Sequence, residues 1–214
     1  MQLYTSKMQM QVLKWLWTHE KVISCDHLQI HKFLFFYSVF IHLKNEDADW
    51  KYLSAYQHGP VFSNLYGDYL YRNQLLREMV EKESIDNLNI KIANKVLFLI
   101  LTHTNQELSM LTHHLDLWRK YEYLLSINKK HIRIKIDDLS NNDQLFLDQI
   151  YNSCKDIDDY LVLKIQNKRF VIRQEDISRV DSTVYQTLTD INNKEDLMNP
   201  VYIQWNKNGE MIVD

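Results

Sequence analysis

Residues 55–62 read Ala-Tyr-Gln-His-Gly-Pro-Val-Phe and decide the first part of the fold, because the 214-residue chain holds only three glycines and two prolines. Proline fixes φ at about −65°, donates no backbone hydrogen bond, and favours extended geometry in the residue before it. Gly59-Pro60 therefore predicts a rigid corner, with Pro60 at the first position of a helix. Apolar side chains recur at three- and four-residue spacing from residue 61 to residue 80, which predicts the extent of this helix.

Helices are predicted on both sides of this corner. A helix over residues 6–18 carries its apolar side chains on one face, and Asp26 with Gln29 forms a capping-box signal ahead of a helix over residues 28–43. The second helix is so apolar that we expect it to run through the middle of a bundle, covered on several sides. Further helices are predicted over residues 84–102, 106–111, 115–126 and 144–154.

Strand patterns appear only late in the chain. Residues 131–136 alternate polar residues with isoleucine, which is the period of a strand. Beyond an acidic joint at residues 156–159, we predict two strands around a turn at Asn167-Lys168, a helix over residues 183–191, and a hairpin across Asn208-Gly209. The sequence thus predicts a mainly α fold: a helical bundle-like module, residues 1–156, with a small α+β appendage of unassigned role, residues 157–214.

Composition narrows the class of protein. The formal charge is −3, with 25 basic and 28 acidic residues, so no bulk field favours binding to nucleic acid. No apolar stretch has the length of a membrane span, and Cys25 and Cys154 suit two free thiols in a reducing compartment. We therefore expect a cytoplasmic protein without a membrane segment, a nucleic-acid partner or a cofactor.

Three groups of residues follow one another in a specific order: residues 32–36, then residues 53–61 with Tyr66, then residues 107–113 with Trp118. This order resembles the Panacea, or SocA-like, antitoxin domain, which typically shows a Lys-Leu-Leu-Tyr-like helix, a Tyr-Gly-Pro-Val corner and a Leu-Thr-His segment followed by Pro-Trp. The chain departs from that pattern at His58, in place of tyrosine, and at Leu117, in place of proline. The positions of the family motif, which we expect to be mainly structural, are Ala55, His58, Gly59, Pro60, Val61, Tyr66, Leu111, Thr112, His113 and Trp118.

The resemblance covers about residues 8–135 and implies a function. Members of that family are mostly helical domains that neutralise many unrelated toxins by direct binding. The partner is usually encoded by an adjacent gene. The resemblance therefore implies an antitoxin whose partner is a cognate protein toxin and which needs no catalytic residue. Some members act as protease adaptors, so delivery of the bound toxin to a housekeeping protease is an alternative.

Aromatic side chains around the corner are candidates for contact with a partner, because aromatic residues with a polar tip dominate interface hot spots. Most are expected to fill the core, and a few to remain available. The candidate partner-binding residues are Trp50, Tyr52, Tyr56, Phe62 and Tyr69, together with Trp205 in the C-terminal hairpin.

A metal-dependent hydrolase is the competing hypothesis. His103, His113 and Asp116 are side chains of the types that bind zinc or iron. Their spacing argues against it, because the adjacent His113 and His114 point about 100° apart on a helix and no His-x-x-x-His pair is present. The sequence also shows no glycine-rich phosphate loop and no Gly-x-Ser-x-Gly elbow. We therefore predict no catalytic and no metal-binding residue.

Overall fold

The fold is taken from a computed structural model that describes residues 2–22, 25–130, 132–192 and 197–214. Helix α1 (Lys7–Thr18) begins at a capping box of Ser6 and Gln9, and a 3-10 turn (Glu20–Val22) follows it. Helix α2 (His27–Leu43) begins at the predicted capping box of Asp26 and Gln29. Every residue from Gln29 to Ile41 is buried, so the prediction that this helix runs through the core is confirmed.

The corner at Gly59-Pro60 is a β-hairpin, and the prediction that Pro60 begins a helix is wrong. Strand β1 (Leu53–Tyr56) pairs antiparallel with strand β2 (Gly59–Phe62), and the turn is closed by Gly59 at a φ of 106°. Strand β2 lies at the edge of its sheet, in the order β2-β1-β3, where β3 is Ile132–Arg133. An edge strand tolerates the missing N–H of proline. The expected single helix is replaced by α3 (Ser63–Tyr71) and α4 (Asn73–Glu81).

The middle of the chain is helical, as predicted, with altered bounds. It contains helices α5 (Ile90–Thr102), α6 (Asn105–His113), α7 (Asp116–Arg119) and α8 (Glu122–Ser126), then strand β3 (Ile132–Arg133) and helix α9 (Asn141–Ser153). Helix α5 begins later than expected because Asn89 caps it. Of the predicted strand over residues 131–136, only Ile132 and Arg133 pair with β1; residues Ile136–Asp138 form a 3-10 turn, and His131 lies outside the described residues.

The C-terminal residues form a second sheet, which contains the two predicted strand pairs. Its elements are a 3-10 turn (Ile157–Asp159), β4 (Tyr160–Ile165), β5 (Lys168–Arg173), a 3-10 turn (Gln174–Arg179), α10 (Ser182–Ile191), β6 (Val201–Trp205) and β7 (Met211–Val213). The strand order is β4-β5-β6-β7, and both predicted hairpins are antiparallel. The parallel pairing of β5 with β6, which α10 makes possible as a crossover, has no signal in the sequence.

The predicted fold class, mainly α with a small α+β appendage, is wrong. The chain is 56% helical and 15% strand, with two sheets among the described residues, and is an α+β fold. One reason is that the corner and residues 132–133 build a sheet inside the module that was expected to be helical.

The second reason is that the second sheet joins the main core instead of standing beside it. Val171 of β5 and Ile157 pack into the cluster around α2. The neighbouring Phe170 and Ile172 point to the opposite face, where they form a smaller core with Leu188 of α10 and Val201 of β6. The division of the chain at residues 156 and 157 stays a prediction.

Within the described ranges, no helix has both the length and the apolar character needed to cross a membrane.

Candidate functional site

One buried side chain joins the three groups of residues that carry the sequence resemblance. Lys32, on α2, is only 1% exposed. Its ammonium donates to the backbone carbonyl of His58 in the hairpin turn and to Oγ1 of Thr112 on α6, the latter over 2.6 Å. The Thr112 hydroxyl in turn donates to the carbonyl of Ser109 over 2.9 Å. Helix α2, the hairpin and helix α6 therefore meet at the Lys32 amine.

Gly59 is required at this junction for two reasons. Its φ of 106° lies in the region that residues with a Cβ rarely adopt. A Cβ at this position would also collide with Nζ of Lys32 and Oγ1 of Thr112. The glycine therefore lets the hairpin turn approach the lysine closely enough to accept its hydrogen bond.

Trp118 and His113 support the hairpin from the other side. The indole Nε1 of Trp118 donates to the carbonyl of Tyr56 over 2.8 Å, and the His113 ring stacks on the indole with centroids 3.9 Å apart. Leu117 stands where the resembled family has proline, and its backbone N–H donates to the buried carboxylate of Asp143 over 2.9 Å. A proline at position 117 has no N–H and could not make this hydrogen bond, which gives a physical reason for leucine at this position.

A pocket of about 540 Å³ opens beside the junction, which is within the size range of ligand sites. Helix α2 supplies its floor, the hairpin and α3 supply its walls, and the segment after α8 supplies its rim. The lining residues are His27, Leu28, His31, Lys32, Ala55, Tyr56, Gln57, His58, Val61, Tyr66, Leu125, Asn128, Lys129 and Lys130. None of these described lining residues is an aspartate or a glutamate, so the ionisable lysine and histidine side chains that line the pocket make it basic.

Burial controls the protonation of the pocket floor. It lowers the pKa of Lys32 to about 7. It also lowers the pKa of His31 to about 3, with smaller contributions from the nearby His27 and Lys32, so His31 is neutral. Nε2 of His31 lies 2.8 Å from Nε2 of His27, and Nδ1 of His31 is buried without a hydrogen-bond partner among the described residues.

Aromatic rings form one wall of the pocket. The His27 ring stacks on Tyr66, with centroids 5.4 Å apart, and on Tyr69, with centroids 4.5 Å apart. Tyr56 packs against Tyr66 with centroids 5.4 Å apart. The site therefore combines aromatic walls, a buried amine and an exposed basic rim.

The structure separates the predicted partner-binding residues into groups. Tyr56 lines the pocket and Tyr69 supports its wall. Trp50 lies edge-on to His42, and Arg133 covers the ring of Tyr52.

The other two predicted partner-binding residues also lie outside the pocket lining. Trp205 lies in the second sheet beneath Arg179. Phe62 was wrongly included, because it is fully buried at 0% exposure as an inward-facing residue of β2.

The alternative metal ligands are not brought together. The Nδ1 of His103 bonds the Leu99 carbonyl at 2.9 Å, His113 stacks on Trp118, and Asp116 accepts a hydrogen bond from Ser140 over 2.8 Å. Among the described residues, no group of three or more His, Cys, Asp or Glu side chains is arranged to hold a metal ion.

The other family-motif positions lie around the same junction. Ala55, Val61 and Tyr66 line the pocket, Pro60 is buried in β2, and Leu111 packs against the main core. Sequence reasoning missed His27, His31, Lys129 and Lys130. The i, i+4 spacing of the two histidines on a predicted helix and the adjacent lysines were the available signals.

Comparisons of the chain with protein-family models, curated proteins and solved structures gave no match.

Proposed function

We propose that this chain is a cytoplasmic antitoxin that binds a cognate protein toxin directly and holds it inactive. One observation carries the proposal: the three groups of residues behind the resemblance, far apart in sequence, are joined by the hydrogen bonds of Lys32 to His58 and Thr112. If the likeness of these short motifs arose by chance, there would be no reason for the three groups of residues to meet at one point in the fold. Their meeting supports a shared architecture, and with it the function that the resemblance implies.

The surface beside this junction is suited to a protein partner. Tyr56 and Tyr66 present aromatic faces, and Lys129 and Lys130 are exposed on the rim. Aromatic anchors surrounded by a polar rim are typical of protein interfaces, and rim charges steer the approach of a partner with opposite charge. We propose that the toxin presents an acidic surface to this rim.

Copurification tests this proposal. The protein encoded beside this chain is expressed with a tag, together with the wild-type chain or with the Lys129→Glu/Lys130→Glu variant. We expect the wild type to copurify and the variant to lose binding with an unchanged melting temperature, because both lysines are exposed. Lys207→Glu, at the exposed turn of the last hairpin, is the matched control and should bind like wild type.

The lifetime of the toxin distinguishes neutralisation by binding from delivery to a housekeeping protease. After synthesis is blocked, a toxin that is held inactive persists in the complex, whereas a delivered toxin disappears faster when the chain is present. The proposal would be contradicted if the wild-type chain did not bind the protein that is encoded beside it.

A further inference from the structure

The pocket beside the hairpin has features of a small-ligand site that the binding of a protein surface does not require. Its volume of about 540 Å³ exceeds what a single side chain fills. At its floor lies one group with unused hydrogen-bonding capacity. Lys32 donates to two acceptors, and an ammonium carries three N–H groups. His31 lines the floor beside it as a neutral ring.

The charge at the floor depends on pH, because burial lowers the pKa of Lys32 to about 7. At pH 6.5 most of the lysine is protonated, and the ammonium has a third N–H for a ligand. Nδ1 of His31 is enclosed by protein atoms, so a ligand in the pocket does not reach it. The floor therefore offers one charged donor, the ammonium of Lys32.

One positive charge at the floor matches a carboxylate, which carries a single negative charge. A phosphate dianion carries a second negative charge, which the one ammonium at the floor does not balance. The described lining also lacks a carboxylate that would repel the ligand, and Lys129 and Lys130 add positive charge at the entrance. The chemistry of the floor therefore favours a monoanionic acid.

The walls define the rest of the ligand. Tyr56, Tyr66 and His27 present aromatic surface, and Leu28, Val61 and Leu125 present aliphatic surface. We infer that the pocket binds a small carboxylic acid with an aromatic body, whose carboxylate pairs with Lys32 and whose ring packs against Tyr56 and Tyr66. This site goes beyond the proposed antitoxin function and does not depend on it.

The three glycines of the chain allow a direct test by NMR. Labelling with ¹⁵N-glycine gives backbone amide signals from Gly59, Gly67 and Gly209 alone. Gly59 follows His58, whose carbonyl Lys32 contacts, whereas Gly209 lies in the last hairpin turn. Gly67→Ala and Gly209→Asn assign the signals, because a Cβ at either position meets no neighbour within 4 Å and asparagine tolerates positive φ.

The probes are phenylacetate, its neutral amide phenylacetamide, and phenyl phosphate, all at pH 6.5. We expect phenylacetate to shift the Gly59 signal saturably and to leave Gly209 in place, and phenylacetamide to shift neither. Lys129→Gln/Lys130→Gln should weaken the binding about threefold through lost surface charge. Val61→Trp should abolish it by filling the pocket, with normal thermal melting as the check on folding.

Two results would overturn the inference. One is a Gly59 signal that phenylacetate does not move, or moves no more than phenylacetamide does. The other is saturable binding of phenyl phosphate in place of phenylacetate, which would assign the floor to a phosphate group. Because none of these measurements involves the toxin, their outcome is independent of the proposed function.

Discussion

Lys32, in the second turn of α2, donates a hydrogen bond to the backbone carbonyl of His58 in the turn of the β-hairpin. A buried ammonium is costly, and the carbonyl and the Thr112 hydroxyl offset only part of that cost, because the pKa of Lys32 is lowered to about 7. This contact fixes the hairpin turn on the central helix and places Tyr56 and Val61 at the walls of the pocket. The stability of the corner and the shape of the candidate site therefore depend on the same contact.

Gly59→Ala is expected to destabilise the protein by about 3 kcal/mol. Alanine is strained at the positive φ that Gly59 adopts, and its Cβ collides with Lys32 and Thr112. Gly67→Ala is the matched control. It lies within α3 with open space around it, so it should leave stability unchanged or raise it by about 1 kcal/mol. Urea denaturation followed by circular dichroism measures both. Equal stability of the two variants would contradict the role of the Gly59 junction.

Asp68→Asn is expected to cost about 3 kcal/mol and to release the N-terminal segment. The fully buried carboxylate accepts hydrogen bonds of 2.7 Å from the N–H groups of Tyr4 and Thr5, and it pairs with Arg72 at 2.8 Å. An asparagine replaces one acceptor oxygen with an NH₂ donor, which faces either these N–H groups or the Arg72 guanidinium, so one donor loses its acceptor in either orientation. In limited proteolysis, the variant should be cleaved near residue 5 earlier than the wild-type protein is. The exposed pair of Asp148 with Lys44 offers a control, because Asp148→Asn should cost less than about 1 kcal/mol.

Acid should weaken the fold partly through His31. Burial lowers its pKa from 6.5 to about 3, so between these values the unfolded chain binds a proton that the folded chain does not. The contribution of His31 to stability is therefore fully present above pH 6.5 and is lost as the pH falls towards 3. In His31→Phe, the fall in stability between pH 7 and pH 5 should be smaller by about 2 kcal/mol. Parallel pH profiles for the two proteins would show that His31 does not titrate in this way.

A chain truncated after residue 156 is expected to fold with lower stability. The helices of the main core are complete by then, but the truncation removes Ile157 and Val171, which are 0% and 1% exposed in that core. Losing two such side chains should lower the midpoint of thermal unfolding, while the helical circular dichroism is retained. Aggregation with loss of the helical signal would refute the division at residues 156 and 157.

The sequence predicted elements whose signals are local. The capping box at Asp26 marked where α2 begins, and Asn208-Gly209 marked the last hairpin. The hairpin at Gly59 was missed because Pro60 favours both a helix start and an edge strand, and only its pairing with Ala55 decides between them. The parallel pairing of β5 with β6 and the basic floor of the pocket depend on long-range contacts, which no spacing along the chain reveals.

The central claim, that the chain neutralises a toxin by binding it, is tested most directly by growth rescue. The neighbouring reading frame is expressed alone, with the wild-type chain, with Lys129→Glu/Lys130→Glu, and with Lys207→Glu. We predict that the neighbour alone arrests growth, that wild type and Lys207→Glu restore it, and that the double variant does not. A neighbour that is harmless, or that remains toxic beside a folded wild-type chain, would contradict the claim.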